Sequence, residues 1–137
     1  MGKVGTYLTR FASALALLVA AIAPGTASAE NGNVEKREFV CMMQDTVMLK
    51  PGIPIEHGGK TYYGCCANCS KTITAEPERF TKAQDPVTGA TVDKAVAFIY
   101  GVEGSAFYFE SEASREAFGR DPARYVGSGQ PAGEPRP

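Results

Sequence analysis

Tyr62-Tyr63-Gly64-Cys65-Cys66-Ala67-Asn68-Cys69 sets three of the chain's four cysteines at the foot of an aromatic run, and the fourth, Cys41, stands upstream beside Met42 and Met43. The aromatics and glycine read as the end of a strand, and the residues after them as the start of a helix. Thiols gathered at such a junction can converge on one soft metal ion or be tied as disulfides. Working backwards, Ile53, Ile55 and His57 alternate with Pro54 and Glu56, Gly58-Gly59 makes a tight turn, and Lys60 to Gly64 returns. That pattern predicts a β-hairpin. Forwards, Ala67 to Ala75 suits a short helix, which Glu76-Pro77 closes because a residue before proline is pushed out of the α region.

The same pattern recurs 45 residues later. Tyr62 then falls on Phe107, Tyr63 on Tyr108, Ile73 on Phe118, Pro77 on Pro122, Arg79 on Arg124 and Phe80 on Tyr125. One unit therefore occurs twice, over residues 39–82 and 83–126. In the second, Ala95 to Tyr100 is a predicted strand that turns through Glu103-Gly104 and returns from Ala106 to Phe109. Its helix starts at about Ser111 as N-cap, with Ala113, Ala117 and Phe118 as the expected buried face. No thiol survives the shift: Cys65 falls on Glu110, Cys66 on Ser111 and Cys69 on Ser114, while a two-residue gap sets Val40-Cys41 on Val87-Thr88. The fold class expected is α+β, in two small units each made of a hairpin followed by a short helix.

Residues 1–29 read as a secretory signal peptide, with Lys3 and Arg10 in a basic n-region, an apolar run from Phe11 to Ile22, and Ala27-Ser28-Ala29 as the cleavage site. That run is short of the roughly 20 apolar residues a membrane span requires. Export, to a periplasm or the medium, is the expectation, with no membrane span after cleavage. Cleavage leaves 12 of the 14 basic residues against all 15 acidic ones, about −3 in net charge, which argues against a nucleic-acid partner. Residues 30–38 are polar and read as a flexible lead-in, and 127–137, rich in Gly and Pro, as a disordered tail. A very small unit has a limited core, which a metal or disulfides usually supplement. In an oxidising compartment, disulfides are the default use of four cysteines.

The signature Gly59-Lys60-Thr61-Tyr62-Tyr63-Gly64-Cys65 with Cys69, Cys41 in the leading turn, and Glu76-Pro77-Glu78-Arg79-Phe80 together resemble the YHS/TRASH family of small metal-associated modules. In the second unit Asp85-Pro86-Val87-Thr88-Gly89, Phe107-Tyr108-Phe109 and Asp121-Pro122-Ala123-Arg124-Tyr125 extend the resemblance, which spans about Phe39 to Val126. It implies treble-clef-like units and a role in metal trafficking, sensing or resistance. The ligands it implies are Cys41, Cys65 and Cys69; the added Cys66 and the thiol-free second unit depart from the family pattern.

Three thiolates suit a soft ion, Cu(I) or Zn(II) foremost. Cys65 and Cys69, four apart across a helix start, can face one point, whereas Cys66 within that turn points elsewhere. Thioethers from Met42, Met43 or Met48 would favour Cu(I), although core and gap filling is the expected role of at least two of them. His57, the only histidine, could complete a Cys3His site, but its place beside Gly58-Gly59 favours a surface role. Catalytic motifs are absent from the sequence, so a binding protein is expected rather than an enzyme, with the metal ion and a metal-transport or metal-receiving protein as partners. Two other readings stand beside it: a thiol-disulfide protein using Cys66 and Cys69, and a domain stapled by a Cys41–Cys65 or Cys41–Cys69 disulfide. Phe98, Tyr100, Phe107, Phe109 and Phe118 are expected to pack partly on the first unit and steady its cysteine loop.

Overall fold

The computed structural model describes residues 31–127, so the expected signal peptide and all of the expected tail but Gly127 lie outside the described residues. Nine short strands and three helices follow in order: β1 (Gly32–Asn33), β2 (Val40–Cys41), β3 (Thr46–Val47), β4 (Ile53–His57), β5 (Lys60–Gly64), α1 (Ala67–Ala75), α2 (Pro77–Thr81), β6 (Lys82–Gln84), β7 (Thr91–Asp93), β8 (Phe98–Val102), β9 (Ser105–Phe109) and α3 (Glu112–Arg120). The fold is α+β, with small antiparallel sheets.

The hairpin β4–β5 forms where the alternation places it; β8 begins at Phe98 rather than the expected Ala95, because residues 94–97 turn back on the Asp93 carbonyl, and both hairpins turn on residue pairs with positive φ, Gly58-Gly59 and Glu103-Gly104. Such turns match the twist of the strands they join. Each hairpin leads into a nine-residue helix. Ser111 caps α3 by accepting from the Ser114 amide, and Pro77 opens α2, where its missing N–H is of no consequence. The bounds of β8, β9 and α3 lie 45 residues beyond those of β4, β5 and α1.

Sheet topology departs from two self-contained units. β2 and β3, from the leading turn of the first repeat, join the hairpin of the second in a five-stranded sheet ordered β1-β8-β9-β3-β2. Thr46 pairs with Ser105, while β4–β5 and β6–β7 stand as separate two-stranded ladders. A shared core follows: Val40, Cys41, Met42, Ile55, Tyr62, Cys69 and Ile73 cluster with Val92, Ala97, Ile99, Ala106 and Tyr108.

Several expectations are corrected. Residues 30–38 were expected as a flexible lead-in, yet Gly32 and Asn33 pair with Gly101 and Tyr100, the Val34 amide donates to Ile99, and the Arg37 guanidinium donates to the Ala97 carbonyl at 2.8 Å. An open sheet edge recruits backbone rather than apolar side chains, so composition conceals such a strand. The ladder also moves the repeat's gap. Cys41 pairs with Thr46 and Gln84 with Thr91, so Cys41 corresponds to Gln84, not Thr88. The two extra residues lie inside the turn over 85–90, which answers to 42–45.

On α3, Ala113 is exposed and Ala117 half-buried; Ser114, Arg115 and Phe118 face inwards, the i, i+4 stripe set by the cap at Ser111. The expected aromatic contact across the units is replaced. Tyr100, Phe107, Phe109 and Tyr125 gather round Phe118 at centroid distances of 5.0–5.8 Å, while Ile99, Ala106 and Tyr108 meet the first unit. Strand alternation explains the split, because neighbouring residues point to opposite faces.

Candidate metal centre

The cysteines sit where β5 gives way to α1. Gly64 ends the strand, Cys65 and Cys66 make the bend, and Cys66 is the N-cap residue of the helix, with extended backbone. Cys69 thus lies in the first helical turn and points back over the strand end. A methyl group at Gly64 would collide with Cys69 Cβ and lie 3.4 Å from its Sγ and 3.1 Å from Ile55 Cδ1. Only glycine lets Cys69 settle there. Sequence reasoning passed over Gly64, although the 45-residue shift sets it against Phe109 and so marks an abrupt loss of side chain.

Cys41 arrives from the other side, on β2. The turn after it is fixed at three points. The Met42 amide donates to the Tyr63 carbonyl at 2.8 Å, Lys94 Nζ donates to the Met42 carbonyl at 2.9 Å, and the same ammonium pairs with Asp45 Oδ1 at 2.5 Å. Tyr108 completes the arrangement by donating to Asp45 Oδ1 at 2.9 Å. All three polar residues are buried. Burial pushes the Asp45 carboxyl up, opposed by the adjacent Lys94 charge, and burial with the neighbouring Asp45 carboxylate pushes the Tyr108 phenol well up. Asp45 also takes a positive φ of 50°, a conformation such surroundings must enforce. A lone lysine in the second unit carries no sequence signal for this role.

Cys69 is the hub of the cluster. Its Sγ lies 3.8 Å from that of Cys41, 3.6 Å from Cys65 and 3.5 Å from Cys66. The sulfurs of Cys41, Cys65 and Cys69 all lie within 4.8 Å of one another, so these three residues can hold a metal ion. The two separations from Cys69, 3.8 and 3.6 Å, match the roughly 3.8 Å that metal–sulfur bonds of about 2.3 Å at tetrahedral angles require. Cys41 and Cys69 are buried and Cys65 is exposed, which leaves one side of the centre open to solvent. All four cysteines are free.

Two of the cluster's thiols, Cys65 and Cys69, are shifted towards the protonated form. Contacts with Cys69 and Cys41, then burial, push Cys65 up to about 12, and burial raises Cys69. Cys66 runs the other way: the backbone N–H of Cys69, its thiol and the Asn68 amide lower it. A bound metal would displace protons from its ligands.

Of the other candidate ligands, Cys66 reaches Cys69 but stands outside the group of three, and His57 lies at the far end of its hairpin. Met42 is wholly buried in the shared core and Met43 packs against its edge. His57 pairs with Lys60 at the turn, whereas Gly64, beside Cys65, pairs with Ile53. Four residues of strand, roughly 13 Å, separate the two ends of the ladder. Gln44 was not foreseen; its Oε1 lies 3.9 Å from Cys65 Sγ at the exposed margin.

In the second unit a carboxylate, one residue beyond the counterpart of Cys41, closes the same strand–helix junction. Asp85 Oδ1 accepts from the amides of Val87 (2.8 Å) and Thr88 (3.2 Å), and Oδ2 from the Glu110 amide (3.0 Å) and Ser114 Oγ (2.6 Å). Glu110 and Ser114 are the residues 45 positions after Cys65 and Cys69. Burial pushes Asp85 up, but these four donors outweigh it and hold the carboxyl low. Both of its oxygens are satisfied, which is how the second framework closes without sulfur.

No family model matches this chain, and neither does any curated protein or solved structure. Among the described residues, no helix is long and apolar enough to cross a membrane.

Proposed function

We propose that this protein binds one soft metal ion, Cu(I) or Zn(II), through the thiolates of Cys41, Cys65 and Cys69, as cargo rather than as a catalytic centre. The observation that carries the reading is the convergence of three sulfurs at metal-site spacing, two buried and one at the surface. Soft sulfur donors select thiophilic ions over Mg or Ca. The resemblance to YHS/TRASH modules supports the same reading and suggests treble-clef-like units. Together with the signal-like N-terminus, it supports a role in metal trafficking, sensing or resistance outside the cytoplasm, with the ion handed to a metal-transport or metal-receiving protein. Exposure of Cys65 gives such a partner a side from which to attack. The second unit, whose junction Asp85 closes without sulfur, serves as scaffold.

The test is metal loading of the full chain under reducing conditions, followed by native mass spectrometry and competition with a chelator. One ion per chain is expected. Cys41→Ser, Cys65→Ser and Cys69→Ser should each abolish tight binding, and Cys66→Ser should retain it. Equal damage from Cys66→Ser would replace the ligand set, and failure of the wild-type chain to take either ion would end the reading.

A further inference from the structure

Cys66 is the thiol that the metal reading leaves unused. It is exposed, it stands outside the convergent group of three, and its Sγ makes the closest sulfur contact in the cluster, 3.5 Å, to Cys69. Cys69 Sγ lies 3.5–3.8 Å from the sulfurs of all three other cysteines. The second unit supplies an independent view of the same geometry. Ser111 and Ser114, which answer to Cys66 and Cys69, hold their hydroxyl oxygens 3.2 Å apart. An extended cap residue followed by a helical turn therefore brings these two side chains together whatever atoms they carry.

We propose that Cys66 and Cys69 form a dithiol–disulfide couple whose oxidation withdraws Cys69 from the metal centre and so releases the ion. The inference rests on the metal reading for its release step, but not for the couple itself. The oxidant is an organic disulfide. When the ion is bound, Cys41, Cys65 and Cys69 are engaged and Cys41 is buried, so Cys66 is the thiol left for an external disulfide to meet. Its sulfur attacks one sulfur of the oxidant, giving a mixed disulfide and expelling one thiolate. Cys69 then leaves the metal and attacks the Cys66 sulfur, forming the internal bond and expelling the second thiolate. Two cysteines lose two electrons in all and the oxidant gains them, while the metal departs without changing valence. Only Cys41 and Cys65 remain as donors. The sulfurs must close by only about 1.5 Å to bond.

The experiment treats the zinc-loaded full chain with oxidised glutathione, follows zinc with a chromophoric chelator, and maps disulfides by peptide mass spectrometry. A metal-free sample is mapped in parallel. Expected are a Cys66–Cys69 disulfide in both samples and zinc release in step with its formation. Cys66→Ser, which installs the residue found at the other cap, should fold normally and release zinc at least ten-fold more slowly. A different pairing in the metal-free sample, or equally fast release from Cys66→Ser, would overturn the proposal. Should the chain bind no zinc, the release step falls with the metal reading, and the metal-free map alone decides the couple.

Discussion

Lys94 Nζ donates to the carbonyl of Met42 at 2.9 Å, so the peptide that follows Cys41 is held by a residue 52 positions downstream. The same ammonium neutralises Asp45 in the shared interior. The cysteine cluster and the second unit are thereby joined through one side chain.

Lys94→Met should strip Asp45 of its partner in a buried site. Breaking such a pair from one side destabilises by about 3–5 kcal/mol, because a charge is left uncompensated. Urea unfolding should show that loss, and adding Asp45→Asn should recover part of it. A single variant as stable as wild type would mean that water reaches the site.

Gly64→Ala is expected to weaken metal binding more than it weakens the fold. The new methyl group meets Cys69 Cβ and crowds Ile55, and overpacking of this kind costs about 1–3 kcal/mol. Chelator competition and thermal melts on the same preparation separate the two effects. Unchanged affinity would show that α1 can shift without disturbing the cluster.

Asp93 makes stability depend on acid. Burial pushes its carboxyl up, but Lys60, Lys82, the Ala95 amide and the Tyr62 hydroxyl outweigh that and depress it strongly. A depressed carboxyl contributes stability that is fully present above its unfolded value of about 3.9 and is lost as pH falls through the folded value. Asp93→Asn should lower the urea midpoint at neutral pH. It should also flatten the midpoint's decline below pH 4. Parallel acid profiles for variant and wild type would assign that decline to other groups, Asp85 first among them.

A fragment ending at Gln84 keeps every cysteine but loses Lys94, Tyr108 and the β9 partner of β3. Circular dichroism should find it without a cooperative transition, and it should bind zinc far more weakly than the full chain. Cooperative folding with full affinity would show that the first unit needs none of these contacts.

Local structure was legible where residue type and spacing act within a few positions. The alternation over Ile53 to Gly64, the Gly58-Gly59 turn, Ser111 as a cap and Pro77 as a stop all operate between neighbours, and their elements lie where they were expected. Cys65 and Cys69 were legible as a pair for the same reason, being four apart at a helix start. Register between distant strands was not. Nothing in Thr46 names Ser105 as its partner, and a two-residue gap in a turn can be placed several ways until a ladder fixes it. Lys94 and Asp85 look like surface charges in a polar stretch; only the fold reveals that each is buried and fully partnered.

Asp45 and Tyr108, hydrogen-bonded in the interior, are 63 residues apart in the chain. Long-range contacts of this kind form late in folding, since a large loop must close before they return any energy. During synthesis Cys41 is made first, Cys65, Cys66 and Cys69 follow, and the strand that fixes the Cys41 turn comes last. The thiols are therefore solvent-accessible for longest in the nascent chain, at the stage when wrong pairings are easiest. Order of appearance, rather than the finished geometry, sets the interval in which the four thiols stand open to solvent.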